Sequence, residues 1–131
     1  MVTAFYRLAI IVSSEKTLSF YRRLGFTETF RKKREKDTVV LMDGYGIQLE
    51  FFIDPSHPVH ISGPEEPIGP RRFALKVDSI EKTISELDLR EENVGPVMDD
   101  WMGSRFCLIR DPDGLTIVLH EQLCGGYIKD A

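Results

Sequence analysis

The sequence is short of cysteine, of long apolar runs and of positive charge, and each shortage excludes a class of protein. Only Cys107 and Cys124 are present. That is too few for a disulfide framework, and neither lies in a Cys-x-x-Cys or mixed Cys/His spacing that would hold zinc, so both read as reduced and inert. No apolar stretch approaches the roughly 20 residues of a membrane-crossing helix. The run from Leu8 to Val12 is cut short by Ser13, Ser14 and Glu15. Lys and Arg number 17 against 21 Asp and Glu, a net charge of −4. Binding to nucleic acid or to an anionic membrane needs a cationic surplus, so neither partner is expected. The expectation is a cytoplasmic protein whose partner is a small molecule. One local cationic cluster, "RKKREK" at 31–36, reads as a solvated hairpin tip that keeps an exposed strand pair from associating.

What the sequence does contain is a repeat. "YRLAIIVSSEKT" at 6–17 returns as "RRFALKVDSIEKT" at 71–83, with Arg7 matching Arg72, Ala9 matching Ala74, Val12 matching Val77 and Ser14 matching Ser79. After one inserted residue, Ile80, Glu-Lys-Thr matches Glu-Lys-Thr. A chain of 131 residues has room for one ordinary domain, so two copies make two halves of one architecture.

In each copy an alternating apolar run reads as a strand that meets a Ser or Asp suited to cap a helix. The first helix is predicted over 15–24, with Gly25 as its stop, and the second over 80–87. Three further strands follow each: 26–30, 38–42 and 47–52 in the first half, and 94–98, 105–110 and 115–121 in the second. "DGYG" at 43–46 and "DPDG" at 111–114 supply turn chemistry, and the stretch 54–70 carries five of the seven prolines and reads as a linker. Each half is therefore βαβββ. The organisation expected is one domain over 1–124, made of module one (4–53), the linker (54–70) and module two (71–122), with a tail at 125–131.

Side chains on a strand alternate between faces, so parity sorts them. One face is wholly apolar (Leu8, Ile10, Val12; Ile47, Leu49, Phe51; Leu115, Ile117, Leu119) and takes the helices. The other is mixed: Arg7, Ala9, Ile11; Gln48, Glu50, Phe52; Arg72, Ala74, Lys76; Thr116, Val118, His120. Either it is ordinary solvated sheet, or it lines a hollow, in which case Arg7 and Arg72 are pseudo-symmetry mates.

"FYRRLGF" at 20–26, "IQLEFF" at 47–52, "RRFALKVDSIEKTISEL" at 71–87 and "RDPDGLTIVLHEQ" at 110–122 together resemble the vicinal oxygen chelate superfamily, the glyoxalases, bleomycin resistance proteins and extradiol dioxygenases. The resemblance covers residues 4–122. It implies an α+β fold of two tandem βαβββ modules forming a curved, U-shaped mixed sheet around a central cavity, commonly as a homodimer. It also implies a divalent metal held by four side chains, usually His on the opening strands and Glu on the closing ones. Carried over by motif, those positions are Arg7, Glu50, Arg72 and Val118, of which only Glu50 can be a ligand. A guanidinium offers no lone pair and stays protonated. A dication 5 Å from one would meet roughly 6 kcal/mol of repulsion at an effective dielectric of 20. No cofactor is expected there.

Three roles stay open for Arg7, Glu50 and Arg72. The arginines can bracket the carboxylate structurally. They can leave a net positive charge that receives an anionic ligand. Or Glu50 can act as general base while an arginine steadies an enolate, in a metal-independent lyase or isomerase of glyoxalase type. The alternatives are a metal-dependent lactoylglutathione-lyase-like enzyme with displaced ligands, such as Glu50 with His120 or Glu121, and a protein that sequesters its ligand unchanged. Trp101, in "MDDWMGSR", is the further ligand-contact candidate, because a lone Trp in a polar Gly-containing loop can fold over a cavity mouth. His57 and His60 read as solvated linker residues, His120 as a rim residue, and Cys107 as able to face the cavity.

Overall fold

In the computed structural model, which describes residues 1–61, 63–101 and 103–122, the chain divides into two compact units, Met1–Val59 and the remainder from His60. Cys124 and the expected tail at 125–131 lie outside the described residues.

The first unit carries β1 (Arg7–Val12), α1 (Glu15–Arg23), β2 (Thr27–Lys33), β3 (Thr38–Gly44) and β4 (Ile47–Ile53). Its strands form a four-stranded mixed sheet in the order β1-β4-β3-β2, with β1 parallel to β4 and the other pairs antiparallel. Helix α1 starts where Ser14 accepts a hydrogen bond from the Lys16 amide at 3.3 Å, with Glu15 in the first turn and Arg22 and Arg23 in the last, the signs that suit its dipole. It buries Leu18, Phe20 and Tyr21, and Tyr21 lies 4.8 Å, ring to ring, from Phe51. The helix stops at Gly25, φ +107, where the Tyr45 hydroxyl donates to the Leu24 carbonyl and leaves no room for a β-carbon. Tyr45 and Gly46, both at positive φ, form the two-residue turn between β3 and β4.

The second unit repeats the order: β5 (Phe73–Lys76), α2 (Ile80–Leu87), a 3-10 turn (Glu91–Asn93), β6 (Met98–Asp99), β7 (Ser104–Arg110) and β8 (Thr116–Gln122), paired as β5-β8-β7-β6 with β5 parallel to β8. Ser79 caps α2 by accepting from the Lys82 amide at 3.2 Å. "DPDG" is explained by Asp111, 2% exposed, which accepts from the amides of Asp113 and Leu115 while Gly114 takes φ +88. The α+β fold with two tandem βαβββ modules is thus what the structure shows, each module bearing its own mixed sheet.

Two readings need correction. Strand β2 runs on to Lys33, so Arg31 to Lys33 pair with Thr38 to Val40 and only Arg34 to Lys36 remain for the tip. Arg31 there is bound by Glu15 and Glu28, and Arg34 by Asp37 at 2.6 Å. The strand expected over 94–98 is reduced to Met98 and Asp99, preceded by a single bridge from Val94 to Ile109. Pro96 has no N–H to continue the ladder.

Parity holds. In β7 and β8 the residues Arg105, Cys107, Ile109, Ile117, Leu119 and Glu121 share the α2 side: Arg105 pairs with Glu81 of α2, and Glu121 accepts from the Ile80 amide at 2.9 Å. Leu108, Arg110, Thr116, Val118 and His120 occupy the other face.

Candidate functional site

In the first module Arg7 stands opposite Gln48, and Ala9 opposite Glu50, which faces Leu41 on its other side. The Arg7 guanidinium donates to the Gln48 side-chain oxygen and, at 3.0 Å, to the Tyr6 hydroxyl, and it lies 4.3 Å over the Tyr6 ring. Gln48 in turn donates to Asp43 at 2.7 Å. Arg7 is therefore committed to an amide and an aromatic face, and within this module it makes neither a hydrogen bond nor an ion pair with Glu50. Glu50 is half-buried. Its charge is felt by Arg34, whose guanidinium, 5.5 Å from the Phe52 ring, is held above the usual range chiefly by its hydrogen bonds to Asp37.

In the second module Arg72 immediately precedes β5 and lines a cavity of about 360 Å³ on the face turned away from α2. Arg110 and Thr116, opposite each other in the β7–β8 ladder, form its floor with Leu108. Asn93, Val94 and Gly95 form one wall, where β6 fails to continue, and Gly63, Glu66 and Arg71 form another. Gly95 is held against β7 by its amide, which donates to the Leu108 carbonyl at 2.8 Å; a β-carbon there would sit 3.2 Å from that oxygen. Charge in the cavity is unevenly matched. Arg71 pairs with Glu66 at 3.2 Å, and Glu66, which also accepts from the Gly63 amide, has its carboxyl held below the usual range by that amide first and by Arg71 second. Glu92 lies 3.8 Å from Arg90. Arg72 and Arg110 have no hydrogen bond or ion pair among the described residues.

Trp101 lies in the turn between β6 and β7, 84% exposed, and does not line this cavity. Beside it, His120 Nε2 lies 3.2 Å from an Asp100 oxygen and 3.3 Å from Ser104 Oγ. Both partners use one ring nitrogen, so this is not the relay of a nucleophilic triad, which needs both. Glu121 is on the opposite face, its carboxyl held low by the Ile80 amide and by Arg105 at 2.8 Å. Cys107, read as able to face the cavity, is fully buried on the α2 side; its thiol donates to the Gly95 carbonyl, and burial pushes its pKa up. His57 is an exposed partner of Asp54 at 3.3 Å, and His60 is exposed.

The family positions do not suit a metal. Arg7 and Arg72 carry no lone pair, Val118 is a buried aliphatic, and within neither module do three described His, Cys, Asp or Glu gather as a cation site. Arg110 is the residue sequence reasoning missed. Its strand parity with Leu108, opposite to that of Cys107 and Ile109, is the signal that places it on this face.

The profile of the Glyoxalase/Bleomycin resistance protein/Dioxygenase superfamily matches residues 7–119. The chain belongs to this superfamily. The Bacillus subtilis (strain 168) protein YwkD is 33% identical over 128 residues, covering 93% of this chain and 99% of its own. The crystal structure of SMU.1112c superposes with a TM-score of 0.79 at 32% identity, covering 92% of this chain and all of that one. A bleomycin-binding protein complexed with bleomycin shares the fold at 18% identity and a TM-score of 0.61, over 93% of this chain and 100% of that one. Among the described residues no helix is long and apolar enough to cross a membrane.

Proposed function

We propose that this superfamily member binds a small anionic molecule without a metal at the four family positions, and that Arg72 supplies the charge that receives it. The observation that carries the reading is Arg72 itself: at a position where its relatives' fold would place a metal ligand, a guanidinium with no partner among the described residues lines a cavity of about 360 Å³. That volume lies within the range of about 300–1,000 Å³ that small-molecule sites occupy. The fold takes up a small molecule, bleomycin, in another protein. Homodimer assembly and a cytoplasmic location are part of the same reading, checked by sedimentation and fractionation.

A thermal-shift panel of small acids against wild type and Arg72→Ala tests it. The expected result is stabilisation of the wild type that the variant loses; equal shifts in both would remove Arg72 from the ligand. Metal analysis of purified protein is expected to find far less than one ion per chain. Stoichiometric metal that disappears in Glu50→Gln would establish the metal-dependent alternative instead.

A second reading, a metal-independent lyase or isomerase step with Glu50 as base, is favoured by one observation. The Glu50 carboxylate is half-buried and makes no hydrogen bond among the described residues, so its lone pairs are uncommitted. Glu50→Gln is then expected to abolish turnover while leaving ligand binding within about threefold.

A further inference from the structure

We propose that the cavity of the second module is a site for a compact dianion, a phosphate monoester, gripped from two sides by Arg72 and Arg110. The inference rests on the reading above only in taking Arg72 as a ligand residue; the second arginine and the class of anion go beyond it.

The geometry begins with the strand order β5-β8-β7. Arg72 leads into β5, Arg110 ends β7, and Thr116 begins β8 between them. Neighbouring strands are about 4.8 Å apart, so the two arginine backbones are separated by about 10 Å across a short side chain. Two long side chains rooted on the same face at that spacing are long enough to reach one ligand between them, and both line the one cavity.

Charge selects the ligand. The three other ionised groups of the lining already have partners: Arg71 and Glu66 in each other, and Glu92 in Arg90. Arg72 and Arg110 remain, with no anion of the described residues bound to either. A single carboxylate is satisfied by one guanidinium fork and would leave the second cation facing empty space. A phosphate monoester carries close to two charges at neutral pH on three terminal oxygens, enough for a fork on each side. Asn93 also lines the cavity, and Val94 and Leu108 offer apolar surface for the organic part of the ester.

The shortened β6 makes the room. Where the first module runs a full seven-residue β2, the second has two residues of β6, Pro96 and the bowed segment 93–95, which walls the cavity.

The test is titration calorimetry at fixed ionic strength with phenyl phosphate, its monoanionic methyl diester and benzoate, on wild type, Arg72→Gln, Arg110→Gln, Arg110→Lys and Arg71→Gln. Phenyl phosphate is expected to bind best. Arg72→Gln and Arg110→Gln should each weaken it about ten- to a hundredfold, the cost of a lost charge-assisted hydrogen bond, with Arg110→Lys between them and wild type. Arg71→Gln, which removes an arginine committed to Glu66, should change it less than threefold. Unchanged melting of the ligand-free variants checks that they fold. Benzoate binding that depends on Arg72, with phenyl phosphate indifferent to Arg110→Gln, would overturn this inference and leave the broader reading standing. An equal loss in Arg71→Gln and Arg110→Gln would mean only a diffuse positive potential, and would also overturn it. Failure of all three probes to bind would remove both readings.

Discussion

Arg7 and Arg72 occupy the same place in the two modules, yet Arg7 is spent and Arg72 has no partner among the described residues. In the first module the neighbouring strand presents Gln48, and Tyr6 lies beneath the guanidinium, so Arg7 is absorbed by its own sheet. In the second the corresponding end of the sheet presents Thr116, and the outer strand is interrupted at Pro96. The topology of the two sheets is identical. What differs is a few side chains at one end, the length of the fourth strand in the order, and the segments 63–71 and 92–95 that wall the cavity of the second module.

The largest expected effect tests the part of the comparison that is alike, the cores. Phe51→Ala in the first module and Ile117→Ala in the second each empty a fully buried position, and each should cost about 2–5 kcal/mol in urea denaturation. A cost below 1 kcal/mol at either site would mean that the register is wrong there. Next comes a difference. The turn before β8 depends on a buried carboxylate, so Asp111→Ala should lose about 2–4 kcal/mol as two amides forfeit their acceptor. The equivalent turn of the first module rests on positive φ and one hydroxyl, so Tyr45→Phe should cost only about 0.5–1.5 kcal/mol. Pro96→Ala should destabilise by about 0.4–1 kcal/mol through the unfolded chain.

The smallest effect is acid dependence. The carboxyls of Glu15 and Glu28, through their hydrogen bonds to Arg31, and of Glu121, through the Ile80 amide and Arg105, are held below the unfolded value of 4.5. A depressed folded pKa contributes stability that is present above 4.5 and lost as pH falls through the lower folded value. Denaturation midpoints at pH 7 and pH 3 should therefore differ less in Glu121→Gln than in wild type. An identical difference would show that the ion pair is inert.

Much of this was legible in the sequence. The repeat located both modules, and the second helix was predicted at its observed bounds because Ser79 caps it and Ile80 and Leu87 are buried. Parity sorted the faces because a strand's period is fixed by its backbone, whatever its neighbours. Three things were not legible. The extension of β2 through Arg31 to Lys33 depends on acidic partners up to sixteen residues away, Glu15 and Glu28. The loss of most of the strand expected over 94–98 follows from one proline whose cost depends on which side its neighbour lies. The commitment of Arg7 to Gln48, and the want of a partner for Arg110 among the described residues, are set by strand register, which composition does not carry.

On the proposed function, a fixed cation of the chain, rather than a metal ion, holds the ligand. The most direct test of that claim is calorimetric titration of a small organic anion into wild type and Arg72→Ala, each with and without excess chelator. The account predicts binding in wild type that the chelator leaves unchanged and Arg72→Ala removes. Binding that the chelator abolishes and Arg72→Ala preserves would contradict it.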